Sequence, residues 1–133
     1  MGDTMRIRGI ASSLITDLLA LGASTRNEAG EAVEFAGILL EDEGIIDRVF
    51  LLPGTTSGTD RAGVLFDMMP LDTHIAGSAH SHPNGVLRPS NMDLRFFSRT
   101  GRYHIIVGPP YTGDEGWRCF RSDGTPAALE VVA

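Results

Sequence analysis

Two histidines at i and i+2, His80 and His82, are followed by Ser90 and Asp93 within a stretch of fourteen residues. Imidazole and carboxylate are both zinc ligands. Two imidazoles and one carboxylate leave a fourth position for water, which is the ligand count of a catalytic ion rather than a structural one. The residues before His80, Ile75-Ala76-Gly77-Ser78-Ala79, read as a short strand. Side chains two apart on an extended chain share a face, so His80 and His82 can grip one ion together. Asp93 joins them only if the loop Pro83 to Pro89 folds the next helix back toward the histidine strand. Ser90 is a favourable N-cap for that helix, with Asp93 at its third helical position.

A zinc site that hydrolyses an amide also needs a carboxylate that is not a ligand, to take a proton from water and pass it to the leaving amine. Glu31, Glu34 and Glu41 are the candidates. Glu34 is the most attractive, because it opens an apparent strand whose following residues are apolar. The Ser90 hydroxyl is available to donate to the oxyanion of a tetrahedral intermediate.

The elements that must position these groups follow from the apolar pattern. Leu14, Ile15, Leu18, Leu19 and Leu21, with Ile10 before them, recur at helical spacing and predict a helix over about residues 11–22. Residues 34–40 and 45–52 read as two strands around a turn at Asp42-Glu43-Gly44, a hairpin. Further strands are expected at Gly63–Met68, Tyr103–Val107, Trp117–Arg121 and Ala128–Val132, and a second helix over Asn91–Arg99. Strands dominate, so the class is α+β with a mixed sheet.

The chain has 133 residues, 42% hydrophobic and 21% charged, which suits one domain over residues 1–133. A net charge of −6 argues against a nucleic-acid surface. The single cysteine, Cys119, excludes an internal disulfide and a cysteine-based zinc site, and fits a reducing, cytoplasmic compartment. The polar start, Met1-Gly2-Asp3-Thr4-Met5-Arg6, lacks the apolar core of a signal peptide, and no apolar run is long enough to suggest a membrane span. His74 and His104 lie outside the histidine–serine–aspartate frame and read as structural. Trp117, Phe96 and Phe97 read as core, Cys119 as a buried small hydrophobe, and Arg95, Arg99 and Arg102 as a solvated basic run.

Together these residues resemble the JAMM, or MPN+, motif of zinc metallopeptidases. That motif is a Glu on an early strand, then His-Ser/Thr-His-Pro, seven residues, a Ser, two residues and an Asp. His80-Ser81-His82-Pro83, Ser90 and Asp93 match this spacing, and Glu34-Phe35-Ala36-Gly37 matches the family's Glu three residues before a Gly. The resemblance spans most of the chain. It implies that His80, His82 and Asp93 bind one Zn2+, that Glu34 is general base and acid, and that Ser90 is the oxyanion donor. The implied fold is the JAMM fold, a curved mixed sheet flanked by helices, similar to that of cytidine deaminases. Deaminase chemistry is disfavoured, because there is no Pro-Cys-x-x-Cys and no His-x-Glu.

The implied activity is hydrolysis of isopeptide or peptide bonds at the C-terminus of ubiquitin-like proteins. The chain is short and looks like the compact archaeal or bacterial members, which points to small modifiers or sulfur-carrier proteins as partners. Two alternatives stand beside this reading. One is a non-catalytic MPN scaffold. The other is a peptidase for free peptides or small sulfur-carrier–cysteine adducts. The sequence leaves the oligomeric state open.

Overall fold

The run Ile38-Leu39-Leu40 is apolar on every residue, as a strand covered on both faces must be. In the computed structural model, which describes residues 6–52 and 74–133, this run lies inside a seven-stranded sheet. The elements in chain order are β1 (Gly9–Ala11), α1 (Ser12–Ser24), β2 (Ala36–Asp42), β3 (Ile45–Leu51), β4 (Ile75–Ser81), α2 (Asn91–Phe97), β5 (Tyr103–Val107), a 3-10 turn (Asp114–Gly116), β6 (Trp117–Phe120) and β7 (Val131–Val132). The strand order is β6-β5-β4-β2-β3-β1-β7. β2 runs antiparallel to both β3 and β4, and β5 antiparallel to β6, whereas β4–β5, β1–β3 and β1–β7 are parallel.

Each face carries its own helix. Leu14, Ile15, Leu18 and Leu19 of α1 pack with Leu39, Ala79, Ile105 and Val107. On the opposite face, Phe96 of α2 packs with Ile38 and Leu40, and Phe97 with Ile106 and Phe120. The parallel pairing of β4 with β5 requires a crossover between them, and α2 lies within it. β4 and β5 meet at close range: a Cβ on Gly77 would fall 1.5 Å from the Tyr103 carbonyl oxygen, so no other residue fits there.

The hairpin and the α+β class follow the sequence expectation, with boundaries shifted by a residue or two. The helix expected at 11–22 is Ser12–Ser24, and Ile10, grouped with it by periodicity, belongs to β1. β1 has three residues, too few for alternation to show, and its place is set by tertiary pairing with β3 and β7. The second helix ends at Phe97, not Arg99. The first hairpin strand starts at Ala36, so Glu34 precedes it instead of opening it. The last strand contracts to Val131–Val132. The strand expected at Gly63–Met68 lies outside the described residues.

Candidate metal centre and its supporting groups

The antiparallel register of β2 with β4 sets Ala36 opposite His80 and Gly37 opposite Ala79. Backbone bonding continues one step further, since the Ser81 N–H donates to the Phe35 carbonyl at 3.2 Å. Extending the register once more sets Glu34 opposite His82. Residues directly opposed on antiparallel strands share a face, so Glu34, Ala36, His80 and His82 look to the same side of the sheet.

β4 formally ends at Ser81, but His82 is still anchored, because its N–H donates to the Val107 carbonyl of β5 at 2.8 Å. The chain then turns through Pro83-Asn84-Gly85. Gly85 has φ +83°, a conformation that side chains disfavour. Its N–H donates to the His82 carbonyl at 3.0 Å, and Asn84 Oδ1 accepts from the Val86 N–H at 2.9 Å. This turn brings Val86 back over the histidine, where its carbonyl accepts from His82 Nδ1–H at 2.7 Å. The ring is thereby fixed with Nε2 turned toward Asp93.

Nε2 meets Oδ2 of Asp93 at 3.0 Å. Asp93 is placed by the start of α2. Its N–H donates to Ser90 Oγ at 3.1 Å, and its Oδ2 accepts from the Ser90 N–H at 2.8 Å, a reciprocal capping box. The loop therefore does fold the helix start back to the histidines. Ser90 caps α2 through an oxygen lone pair, so its hydroxyl proton stays available on an exposed residue.

His80 is buried, with its ring edge-on to Phe96 at 5.1 Å between centroids, and its Nδ1 is a buried nitrogen with no hydrogen-bond partner among the described residues. Burial lowers its pKa to about 4, against the opposing pull of Asp93, so the ring is neutral at ordinary pH. For Asp93, burial pushes the carboxyl up, but the His82 ring and the Ser90 N–H outweigh it and hold it at about 2. The Asp93 hydrogen bond is the main force raising the His82 pKa, over the opposing effect of burial. Partial burial raises the Glu34 carboxyl, with His82 opposing and Asp93 adding. The four groups thus sense one another's charge.

Among the described residues, no three His, Cys, Asp or Glu side chains are gathered tightly enough to enclose an ion as they stand. His82 and Asp93 touch; His80 and Glu34 lie beside them without a hydrogen bond to either. The donor chemistry nonetheless fits a cation. With Nδ1–H committed to Val86, a neutral His82 turns a bare Nε2 lone pair on a carboxylate oxygen 3.0 Å away. Two lone pairs at that distance repel unless a proton or a metal ion lies between them. A buried, neutral, unpartnered His80 nitrogen adds a further donor.

The other two candidate bases are committed elsewhere. Glu31 Oε1 accepts from Asn27 Nδ2 at 2.9 Å in an exposed loop. Glu41 is buried, accepting from the Gly44 N–H at 2.9 Å and pairing with His74 Nδ1 at 3.2 Å. His104 is structural: Ser78 Oγ lies 2.8 Å from its Nδ1, Gly101 O lies 3.1 Å from its Nε2, and its ring stacks on Phe97 at 4.0 Å. Cys119 is buried, and burial lifts its thiol to about 11.

Ser81 and the Val86 and Val107 carbonyls were not singled out by the sequence. Ser81 could have been, since strand alternation puts the residue between two same-face histidines on the other face.

Among the described residues, then, the sheet carries a helix on each face, two histidines at the end of β4 and a capped aspartate beside them. A family model described as prokaryotic homologs of the JAB domain matches residues 19–122. A "probable metalloprotease" of Haloferax volcanii is 38% identical over 93% of this chain and 79% of its own length. A solved JAB1/MPN domain protein from Archaeoglobus fulgidus superposes with a TM-score of 0.70 at 33% identity, covering 94% of this chain and 99% of that one. A second structure, described as "JAMM: a metalloprotease-like zinc site in the proteasome and signalosome", gives a TM-score of 0.69 at 28% identity over 96% of this chain and 99% of its own. The chain belongs to the prokaryotic JAB-domain family, and its class is that of the JAMM-type metalloproteases. Among the described residues, no helix is long and apolar enough to cross a membrane.

Proposed function

We propose that this protein is a zinc isopeptidase or peptidase that cleaves at the C-terminus of a small ubiquitin-like or sulfur-carrier protein. The observation that carries the hydrolytic part is the β2–β4 register, with Ala36 opposite His80, whose continuation brings Glu34 across from His82, the residue whose Nε2 meets Asp93 at 3.0 Å. A non-ligand carboxylate, a ligand pair and a free serine hydroxyl then gather on one side of the sheet, where β2 begins and β4 ends. The modifier substrate is supported by the family resemblance, and by a structural relative whose zinc site is described in the proteasome and signalosome.

His80, His82 and Asp93 are the residues that would hold the ion. When bound, zinc supplies Lewis acidity toward the scissile carbonyl and makes water a competent nucleophile near neutral pH. Glu34 takes the proton of the attacking water. Its raised pKa brings it nearer the working pH, which suits a group that must both accept and return a proton. Ser90 donates its free hydroxyl proton to the carbonyl oxygen as negative charge develops there. His82 keeps its orientation through Val86, and Asp93 through the capping box. Glu34 then delivers its proton to the departing amine, lysine or α-amino, so the base is regenerated.

The test is incubation with modifier–lysine isopeptides and modifier–cysteine peptides, with and without a chelator. Cleavage after the modifier's terminal glycine, lost with chelator and restored by zinc, is the expected result. Cleavage of unrelated peptides alone would replace the substrate class, and no zinc-dependent cleavage at all would favour a scaffold.

A further inference from the structure

Ser81, between the two histidines, has no part in the chemistry above. Its position is unusual in that it makes both bonds to one residue: its N–H donates to the Phe35 carbonyl at 3.2 Å, and its Oγ accepts from the Phe35 N–H at 2.8 Å. Ser81 is fully buried, and Phe35 nearly so within the core on the α1 face. The formal strand β2 begins only at Ala36, and at Phe35 the backbone pairing with β4 keeps one of its two bonds, from the Ser81 N–H to the Phe35 carbonyl. A serine side chain replaces the missing ladder bond. Without it the Phe35 N–H would be buried with no partner, which proteins avoid by moving the backbone.

We infer that Ser81 is a positioning residue for Glu34: its hydroxyl locks the strand entry so that the carboxylate stands across from His82. This rests on the proposed hydrolytic role of Glu34. Backbone alternation supports the division of labour. His80 and His82 face one side, while Ser81 and Phe35 face the other, so Ser81 reaches the base through the chain and not through the site itself. The bond spans 46 residues of sequence, tying the segment that carries the base to the strand that carries the histidines.

The experiment compares zinc-loaded wild type, Ser81→Ala and Ser81→Thr, which keeps the Oγ acceptor. On the modifier conjugate the wild type cleaves, Ser81→Ala is expected to lose about 10- to 100-fold in kcat, the scale of a misplaced catalytic group. KM should stay within about twofold, since no substrate contact is removed. Zinc content should be unchanged, the Phe35 amide should exchange with solvent about tenfold faster or more, and Ser81→Thr should restore kcat and slow exchange. Wild-type kcat in Ser81→Ala, a loss proportional to lost zinc or lost folded protein, or unchanged Phe35 exchange would each overturn the inference. If Ser81→Ala does not fold, Ser81→Cys, a similar volume with a weak acceptor, takes its place under the same criteria. A wild type that cleaves no conjugate refutes the proposed function instead, and Phe35 exchange alone then decides whether Ser81 holds the strand entry.

Discussion

His82 Nε2 lies 3.0 Å from Asp93 Oδ2 while the other ring nitrogen donates to the Val86 carbonyl at 2.7 Å. The ring therefore has its tautomer chosen by the loop and its lone pair aimed at a carboxylate. Without metal, a proton between the two satisfies that arrangement, and the hydrogen bond to Asp93 raises the His82 pKa. Zinc must displace the proton. Zinc affinity should consequently fall as pH drops through the raised His82 pKa, because the protonated ring competes with the metal. Competition with a chromophoric chelator at pH 7.5 and 5.5 should show about tenfold weakening or more. Equal affinity at both values would contradict the arrangement.

Glu34→Gln keeps size and removes the base. Turnover should fall by a factor on the order of 10² to 10⁴, the range for general acid–base catalysis. Zinc content should remain at the wild-type level, since Glu34 makes no hydrogen bond to His82 or Asp93. Kinetics with parallel metal analysis checks both halves. Loss of zinc in this variant would make Glu34 a ligand.

Ser90 has two roles that one substitution confounds and two separate. Ser90→Ala should lose about 10²- to 10³-fold in kcat through the oxyanion donor, and about 1 kcal/mol of stability through the cap. Ser90→Asp remains a good N-cap but cannot donate. It should recover the melting temperature while kcat stays low. Recovery of both would confine Ser90 to capping.

His104, which is not one of the proposed ligands, gives a pH signature of its own. Burial lowers its pKa to about 4 from 6.5. A depressed histidine binds fewer protons when folded than when unfolded, so its stability contribution is complete above pH 6.5 and is lost as pH falls toward 4. The loss is on the order of 3 kcal/mol across that window. His104→Phe, which keeps the stack on Phe97, should flatten this part of the pH dependence relative to wild type in denaturant melts at pH 7 and 4.5. An unchanged slope would mean that His104 is not held neutral.

The sequence was most legible where local rules act alone. Ser90 and Asp93 fix a capping box within four residues, and the turn at Gly44 between two apolar runs fixes the hairpin. Strand alternation correctly put His80 and His82 on one side, although His82 lies beyond the strand and depends on Val107, a partner no local pattern reveals. Glu34 stands out in the sequence because it opens an apparent apolar strand and fits the family's frame three residues before Gly37, although the strand itself starts at Ala36. The physical reason for choosing it over Glu31 and Glu41 is register between strands distant in sequence. β1 was missed because three residues carry no period, and their strand state exists only through β3 and β7. Ser81 was passed over because its value lies in a long-range bond to a backbone N–H, which side-chain chemistry alone does not advertise.

The most direct test of the central claim, that His80, His82 and Asp93 hold one zinc ion beside Glu34, is X-ray absorption at the zinc edge on the loaded protein. The account predicts one ion per chain with two imidazole nitrogens and oxygen ligands, all at about 2.0–2.2 Å. It predicts one imidazole fewer in both His80→Ala and His82→Ala. A bound zinc whose imidazole count is unaffected by either substitution would contradict it.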